Sequence, residues 1–216
     1  MAVAGPQTGL QETRMQSRLQ RIAVIGAGSD GWRLAARTAR AGYSTIVEDL
    51  MPSNLRRAAS GIRQTLSTAM PEDAIETVMA RVSFAATIEE AVREADLALD
   101  CVPDELESKL EIFCLLDRMA PPRTILCTPT ETLGIADIAS CTYRADRCLA
   151  VRVPAGSKSA ALADATAVHV MHSHWTLPQA LQSTVEFWRS LGMDVTEEMD
   201  ASMIAAPAAA RMEPAG

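Results

Sequence analysis

The sequence predicts an α/β protein with a doubly wound, mostly parallel sheet and helices on both faces. Three observations carry that expectation. Short apolar runs alternate with helical stretches, the pattern of a parallel sheet buried on both sides. A glycine cluster, Gly26-Ala-Gly28-Ser-Asp-Gly31, stands between the first apolar run and the first helical stretch. An acidic residue, Asp49, follows 18 positions past Gly31, where a second strand ends.

Each element can be read in order. Ile22-Ala-Val-Ile25 is β-branched and apolar and ends at glycine, so it reads as a buried strand. The Ala-rich stretch from Trp32 to Arg40 reads as a helix leaving through Ala41-Gly42. Ser44 to Asp49 reads as a second strand, and 53–69 and 71–80 as helices, with Ser53 able to cap and Pro71 suited to a first turn. Val82 to Ala85 is a short strand, and Thr87-Ile-Glu-Glu90 has the form of a capping box. Strands are then expected at 96–102, 124–127, 148–153 and 166–171, with helices at 105–118, 133–139 and 178–191. A flexible leader (1–20) and an Ala/Pro-rich tail (200–216) are expected to flank one domain at 21–199.

Composition narrows the classes. With 48% apolar and 4% aromatic residues among 216, the core must be aliphatic. A net charge of −7 disfavours nucleic acid, whose phosphates select clustered cations. No apolar run approaches the ~18 residues of a membrane span, and the N-terminus lacks the apolar centre of a signal peptide. The five cysteines form no C-x-x-C pair, as expected of reduced thiols in a cytoplasmic protein. They read as packing residues.

The glycine cluster has the chemistry of a Rossmann-type dinucleotide site. Gly26 permits a tight turn, Gly28 admits a pyrophosphate close to the backbone, and Gly31 allows helix and strand to touch. The helix start offers free N–H groups and the positive end of a dipole. Asp49 would accept bonds from the adenosine ribose and repel a 2′-phosphate, which favours NAD over NADP. Asp30 runs against this pattern, because it sets a carboxylate beside the expected pyrophosphate. Either it points outward, with Arg33 compensating, or it weakens the cofactor site.

The chain from Arg21 to about Thr196 resembles the NAD-binding domain of 3-hydroxyacyl-CoA dehydrogenases. The resemblance runs through Ile22-Ala-Val-Ile-Gly-Ala-Gly28, Ala39-Arg-Ala-Gly-Tyr43 and Glu48-Asp49. It continues in Ile88-Glu-Glu-Ala-Val92, in Ala95 to Asp104, in Leu116 to Pro122 and in Leu133 to Ala139. It implies hydride transfer between NAD and C3 of a 3-hydroxyacyl thioester, a small-molecule substrate of fatty acid metabolism. It also places Val102 and Lys109 with the glycines and Asp49 at the cofactor, Lys109 being equally readable as a solvated helix residue. Asp100 and Asp104 replace family glutamates flanking the proline.

The family's catalytic set is substituted. Its Ser-Asn-Thr-Ser-Ser segment corresponds to Thr128-Pro-Thr-Glu-Thr132, which puts proline at the asparagine and Glu131 at a serine. Its general-base histidine corresponds to Arg152, a guanidinium that stays protonated and cannot act as a base. Its glutamate corresponds to His169 or a neighbour. Catalytic candidates are therefore His169, as a relocated base, with Glu131 and Arg152. His169, His172 and His174 cluster in sequence, but strand alternation separates them, so no metal is expected. The family's helical second domain is not recognisable before the chain ends. Three readings stand: an oxidoreductase with a rebuilt catalytic set, a binding protein without turnover, or a dehydrogenase half that needs a separate helical subunit. Self-association is left open; nucleic acid and membrane partners are not expected.

Overall fold

A computed structural model describes residues 19–157, 159 and 161–200. The expected leader lies outside them except for Leu19 and Gln20, and the expected tail except for Asp200. Eight strands form one sheet: β1 (Arg21–Ile25), β2 (Ser44–Glu48), β3 (Val82–Ala85), β4 (Leu97–Asp100), β5 (Ile125–Pro129), β6 (Cys148–Arg152), β7 (Ala167–His172) and β8 (Asp194–Met199). Their order is β3-β2-β1-β4-β5-β6-β7-β8. Strands β1 to β6 are mutually parallel, β7 is antiparallel to β6, and β8 is parallel to β7. The chain winds outward in both directions from β1 and β4, and such a reversal opens a crevice at the carboxyl ends of the strands.

The helices are α1 (Ser29–Arg40), α2 (Pro52–Ser67), α3 (Glu72–Met79), α4 (Ile88–Val92), α5 (Leu106–Met119), α6 (Ile135–Ala139) and α7 (Pro178–Ser190). Period-two alternation in the strands divides the core between the two faces. Ile22, Val24, Leu97 and Leu99 pack with α1, α2, α3 and α7, whereas Ala23, Ile25 and Ala98 pack with α4, α5 and α6. Burying both faces is what makes these strands read as continuous apolar runs.

Four local differences from the sequence reading have physical causes. Helix α1 begins at Ser29, three residues before Trp32, because the extended Gly28 serves as its N-cap. Ser53 does not cap α2; Pro52 fills the first turn, and the Asp49 carboxylate accepts from the Met51 N–H at 2.9 Å. The antiparallel β7 follows a connection whose described residues hold a short 3-10 turn, Leu162–Asp164, and no crossover helix. Strand β8 was not expected, because Asp-Val-Thr-Glu-Glu-Met buries no residue and therefore carries no apolar alternation. By contrast, Thr87 caps α4 as its spacing predicts, accepting from the Glu90 N–H at 3.3 Å.

Among the described residues no helix is long and apolar enough to cross a membrane. All five cysteines are free, and burial pushes the Cys127 and Cys148 thiols up to about 12, so neither supplies thiolate at neutral pH.

Candidate functional site

The carboxyl ends of β1, β2, β4, β5 and β6 border a groove of about 890 Å³. At one end its floor is backbone. Gly26 has φ +100°, a left-handed conformation, and its N–H donates to the Glu48 carbonyl at 2.9 Å. A Cβ on Gly31 would stand 1.9 Å from the Gly26 carbonyl oxygen, so only glycine lets α1 leave the strand this closely. A Cβ on Gly28 would meet nothing within 4 Å. Gly28 lines the groove at the start of α1, so the missing side chain leaves open space beside the helix N-terminus, where a phosphate is favoured.

Asp49 closes this end. Its carboxylate accepts from the Ala27 N–H at 3.1 Å, from the Met51 N–H at 2.9 Å, and from Asn54 Nδ2 at 2.9 and 3.1 Å on its two oxygens. Those four bonds match the acceptor capacity of a carboxylate. A ribose hydroxyl reaching Asp49 must therefore displace a donor, and the Asn54 amide is the one carried on a side chain. Asn54, which lines the groove and also accepts from Arg57, was missed by sequence reasoning. Its only signal was a lone asparagine five residues after the acid. Beside Asp49, burial and then the Asp49 charge push the Glu48 carboxyl up to about 7.

Asp30 also lines the groove, in the first turn of α1. Arg33 does not offset it, because its guanidinium pairs with Asp164 in the turn before β7. The helix start favours a carboxylate in that position, but a pyrophosphate placed there would meet a like charge.

The middle of the groove is held from behind. Asp100 and Lys109 are 0% and 1% exposed, and Lys109 Nζ lies 3.4 Å from Asp100 Oδ2 and 2.8 Å from Thr128 Oγ1. The Thr128 hydroxyl donates to Asp100 Oδ2 at 2.9 Å, and Asp100 Oδ1 accepts from the Val102 N–H at 2.9 Å. Burial raises the Asp100 pKa, opposed chiefly by the Lys109 charge. Lys109 thus stands behind the lining, while Val102 is in it. Asp104 is also in the lining and does not cap α5: its Oδ2 accepts from the Glu131 N–H at 2.8 Å, and its Oδ1 is 3.8 Å from Lys109 Nζ.

The far end is made of side chains. Glu131 and Arg152 line it with Pro129 and the turn at Pro154–Ser157. Among the described residues Arg152 makes one long hydrogen bond, from Nε to the Thr130 carbonyl at 3.4 Å. His169 is the cross-strand neighbour of Arg152, but it is not in the groove lining. Its Nδ1 is 2.8 Å from Glu198 Oε2 on β8. His172 ends β7, and His174 lies beyond the strand, its ring tilted 40° against Trp175 with centroids 3.9 Å apart. The fold therefore brings Gly26, Gly28, Asp49, Val102, Glu131 and Arg152 to one groove. It sets Gly31 and Lys109 behind that groove and His169 to the side.

A glycine turn of this geometry at the reversal point of a doubly wound sheet defines a dinucleotide-binding domain. The chain belongs to the 3-hydroxyacyl-CoA dehydrogenase family as its NAD-binding domain: the family model described as "3-hydroxyacyl-CoA dehydrogenase, NAD binding domain" matches residues 21–200. NAD is the cofactor of that domain, and the open cradle at Gly28 fits it. The chain is 31% identical over 134 residues to a probable 3-hydroxybutyryl-CoA dehydrogenase of Bacillus subtilis, covering 60% of this chain and 46% of that protein. It is 28% identical over 184 residues to the mitochondrial hydroxyacyl-coenzyme A dehydrogenase of Rattus norvegicus, covering 81% and 57%. The chain thus spans about half the length of the curated relatives it matches. Among solved structures, a 3-hydroxybutyryl-CoA dehydrogenase from Escherichia coli K12 shares the fold with TM-score 0.76 at 24% identity, covering 85% of this chain and 39% of that one.

Proposed function

We propose that this chain is the NAD(H)-binding half of an oxidoreductase of the 3-hydroxyacyl-CoA dehydrogenase type, acting at C3 of a 3-hydroxyacyl or 3-oxoacyl compound. The observation that carries the reading is the Gly26–Gly31 turn, which keeps a phosphate-sized opening at Gly28 and tolerates no side chain at Gly31. When bound, NAD supplies the acceptor for a hydride and NADH the donor. The chain's own residues do the rest. Gly28 and the start of α1 seat the pyrophosphate, and Asp49 orients the adenosine ribose once Asn54 yields. Val102, positioned by the buried Asp100–Lys109–Thr128 cluster, lines the path toward the substrate end.

Proton transfer is where this chain departs from its relatives. Arg152 can hold negative charge but cannot accept a proton. His169, whose ring is oriented by Glu198 through Nδ1, lies outside the groove lining, so acting as the base requires its Nε2 to reach the substrate from the side. In the second reading the chain binds cofactor without turnover, and Arg152 at the base position favours it. Titration with NADH followed by an assay with acetoacetyl-CoA tests both. Saturable NADH binding with turnover that is lost in His169→Ala supports the oxidoreductase, whereas binding without turnover of either acetoacetyl-CoA or free acetoacetate supports the second reading. No saturable binding at millimolar NADH sinks both.

A further inference from the structure

Arg152 is the one arginine described in the groove lining, and like Arg81 and Arg147 elsewhere on the molecule it leaves most of its donors unused, unlike Arg37 and Arg144. Arg37 gives its donors to the carbonyls of Ala163, Ala165 and Leu191. Arg144 pairs with Asp117 at 2.8 Å and donates to the carbonyls of Asp117, Ala120 and Pro121. Arg152, half-buried in the groove wall, has its single 3.4 Å bond to Thr130 and no ion pair among the described residues. Most of a five-donor fork is therefore unspent. A partly desolvated cation without an anion is costly, and an incoming carboxylate removes that cost.

The rest of the groove makes the position selective. The other charged side chains described in its lining, Asp30, Asp49, Asp104 and Glu131, are all acids. Outside the cradle at Gly28 and the start of α1, Arg152 is therefore the one cation described in the lining that an anion can meet. Strand β6 lies three places from β1 in the sheet, about 14 Å at the usual strand spacing, so Arg152 does not belong to the pyrophosphate cradle.

We propose that Arg152 anchors a carboxylate of the compound that shares the groove with NAD(H), making a small free 3-hydroxy or 3-oxo carboxylic acid the substrate class. The proposal rests on the reading of the groove as a cofactor-and-substrate site. The planar fork engages both carboxylate oxygens at once, which fixes the orientation of the acid as well as its position.

The test is calorimetric titration of acetoacetate and of its uncharged methyl ester into the full chain saturated with NAD, which has no hydride to give a 3-oxo compound, so the heat reports binding alone. Acetoacetate is expected to bind about tenfold more tightly than the ester. Arg152→Gln should remove the preference, and Arg152→Lys should keep part of it. Thermal melts and unchanged NADH affinity show that each variant is folded. Equal affinities in the unsubstituted chain, no saturable acetoacetate binding, or a preference that survives in Arg152→Gln would each overturn the proposal. Failure of NADH itself to bind would defeat the dinucleotide reading instead. The same two titrations run without cofactor then still decide the role of Arg152.

Discussion

The two ends of the groove are built from different materials. Around β1 and β2 the site is backbone: a left-handed Gly26, an absent Cβ at Gly28, and a helix start. Around β5 and β6 it is side chain: Pro129, Glu131 and Arg152, at positions where the resemblance to the family implies asparagine, serine and histidine. A backbone site depends on the fold, so it is kept as long as the glycines are. A side-chain site can be rewritten one residue at a time without disturbing the sheet beneath it. The chain keeps the first, and the resemblance implies that the second differs.

The largest expected effect attacks the backbone end. Gly31→Val should abolish measurable NADH binding and lower the melting temperature, because its Cβ would overlap the Gly26 carbonyl; binding that persists in calorimetry would mean the turn is not the cradle. Next is the buried cluster joining the two ends. Asp100→Ala strands the Lys109 ammonium in the core and should cost about 3 kcal/mol in denaturant unfolding. Adding Lys109→Met should recover most of that loss, which separates an orphaned charge from a packing defect.

Glu48 gives a smaller, pH-dependent effect. Its folded pKa of about 7 lies above the ordinary 4.5, so the native state holds the extra proton between those values. Its contribution to stability is full below about 4.5 and is lost as pH rises through 7. Glu48→Gln should remove about 2 kcal/mol of that decline between acidic and mildly alkaline buffer, measured by urea unfolding. The smallest change sharpens the contrast from within the backbone end. Asp30→Asn removes a like charge beside the pyrophosphate and should tighten NADH by about fivefold, or about 1 kcal/mol, with the gain shrinking in high salt. An unchanged affinity would mean that Asp30 faces away from the cofactor.

Much of the fold was legible in local pattern. Buried strands such as Ile22–Ile25 announce themselves by composition, and Thr87 announces a helix start by its spacing to Glu90. Strand β8 did not, since an edge strand with acidic faces has no apolar signature. In the groove, the glycines and Asp49 were legible because they answer to a fixed backbone geometry. The Asn54 amide on Asp49, the burial of Lys109 and the Glu198 partner of His169 were not. Each depends on which side chain another element brings near. A lone lysine in a sequence ordinarily reads as solvated, and only Asp100 and Thr128 closing around it make it a buried strut.

The sequence alone determined that this chain folds as a doubly wound sheet with a dinucleotide turn. Hydrophobic period, glycine position and helix capping act over a few residues and can be read along the chain. Only the tertiary structure decided what the far end of the groove contains. There the deciding quantity is the fork of Arg152, which has no ion pair among the described residues, just as the commitment of Arg33 to Asp164 is decided at the other end and the turning of His169 toward Glu198 beside the groove. Charges act through space, and their partners lie on strands and turns remote in sequence.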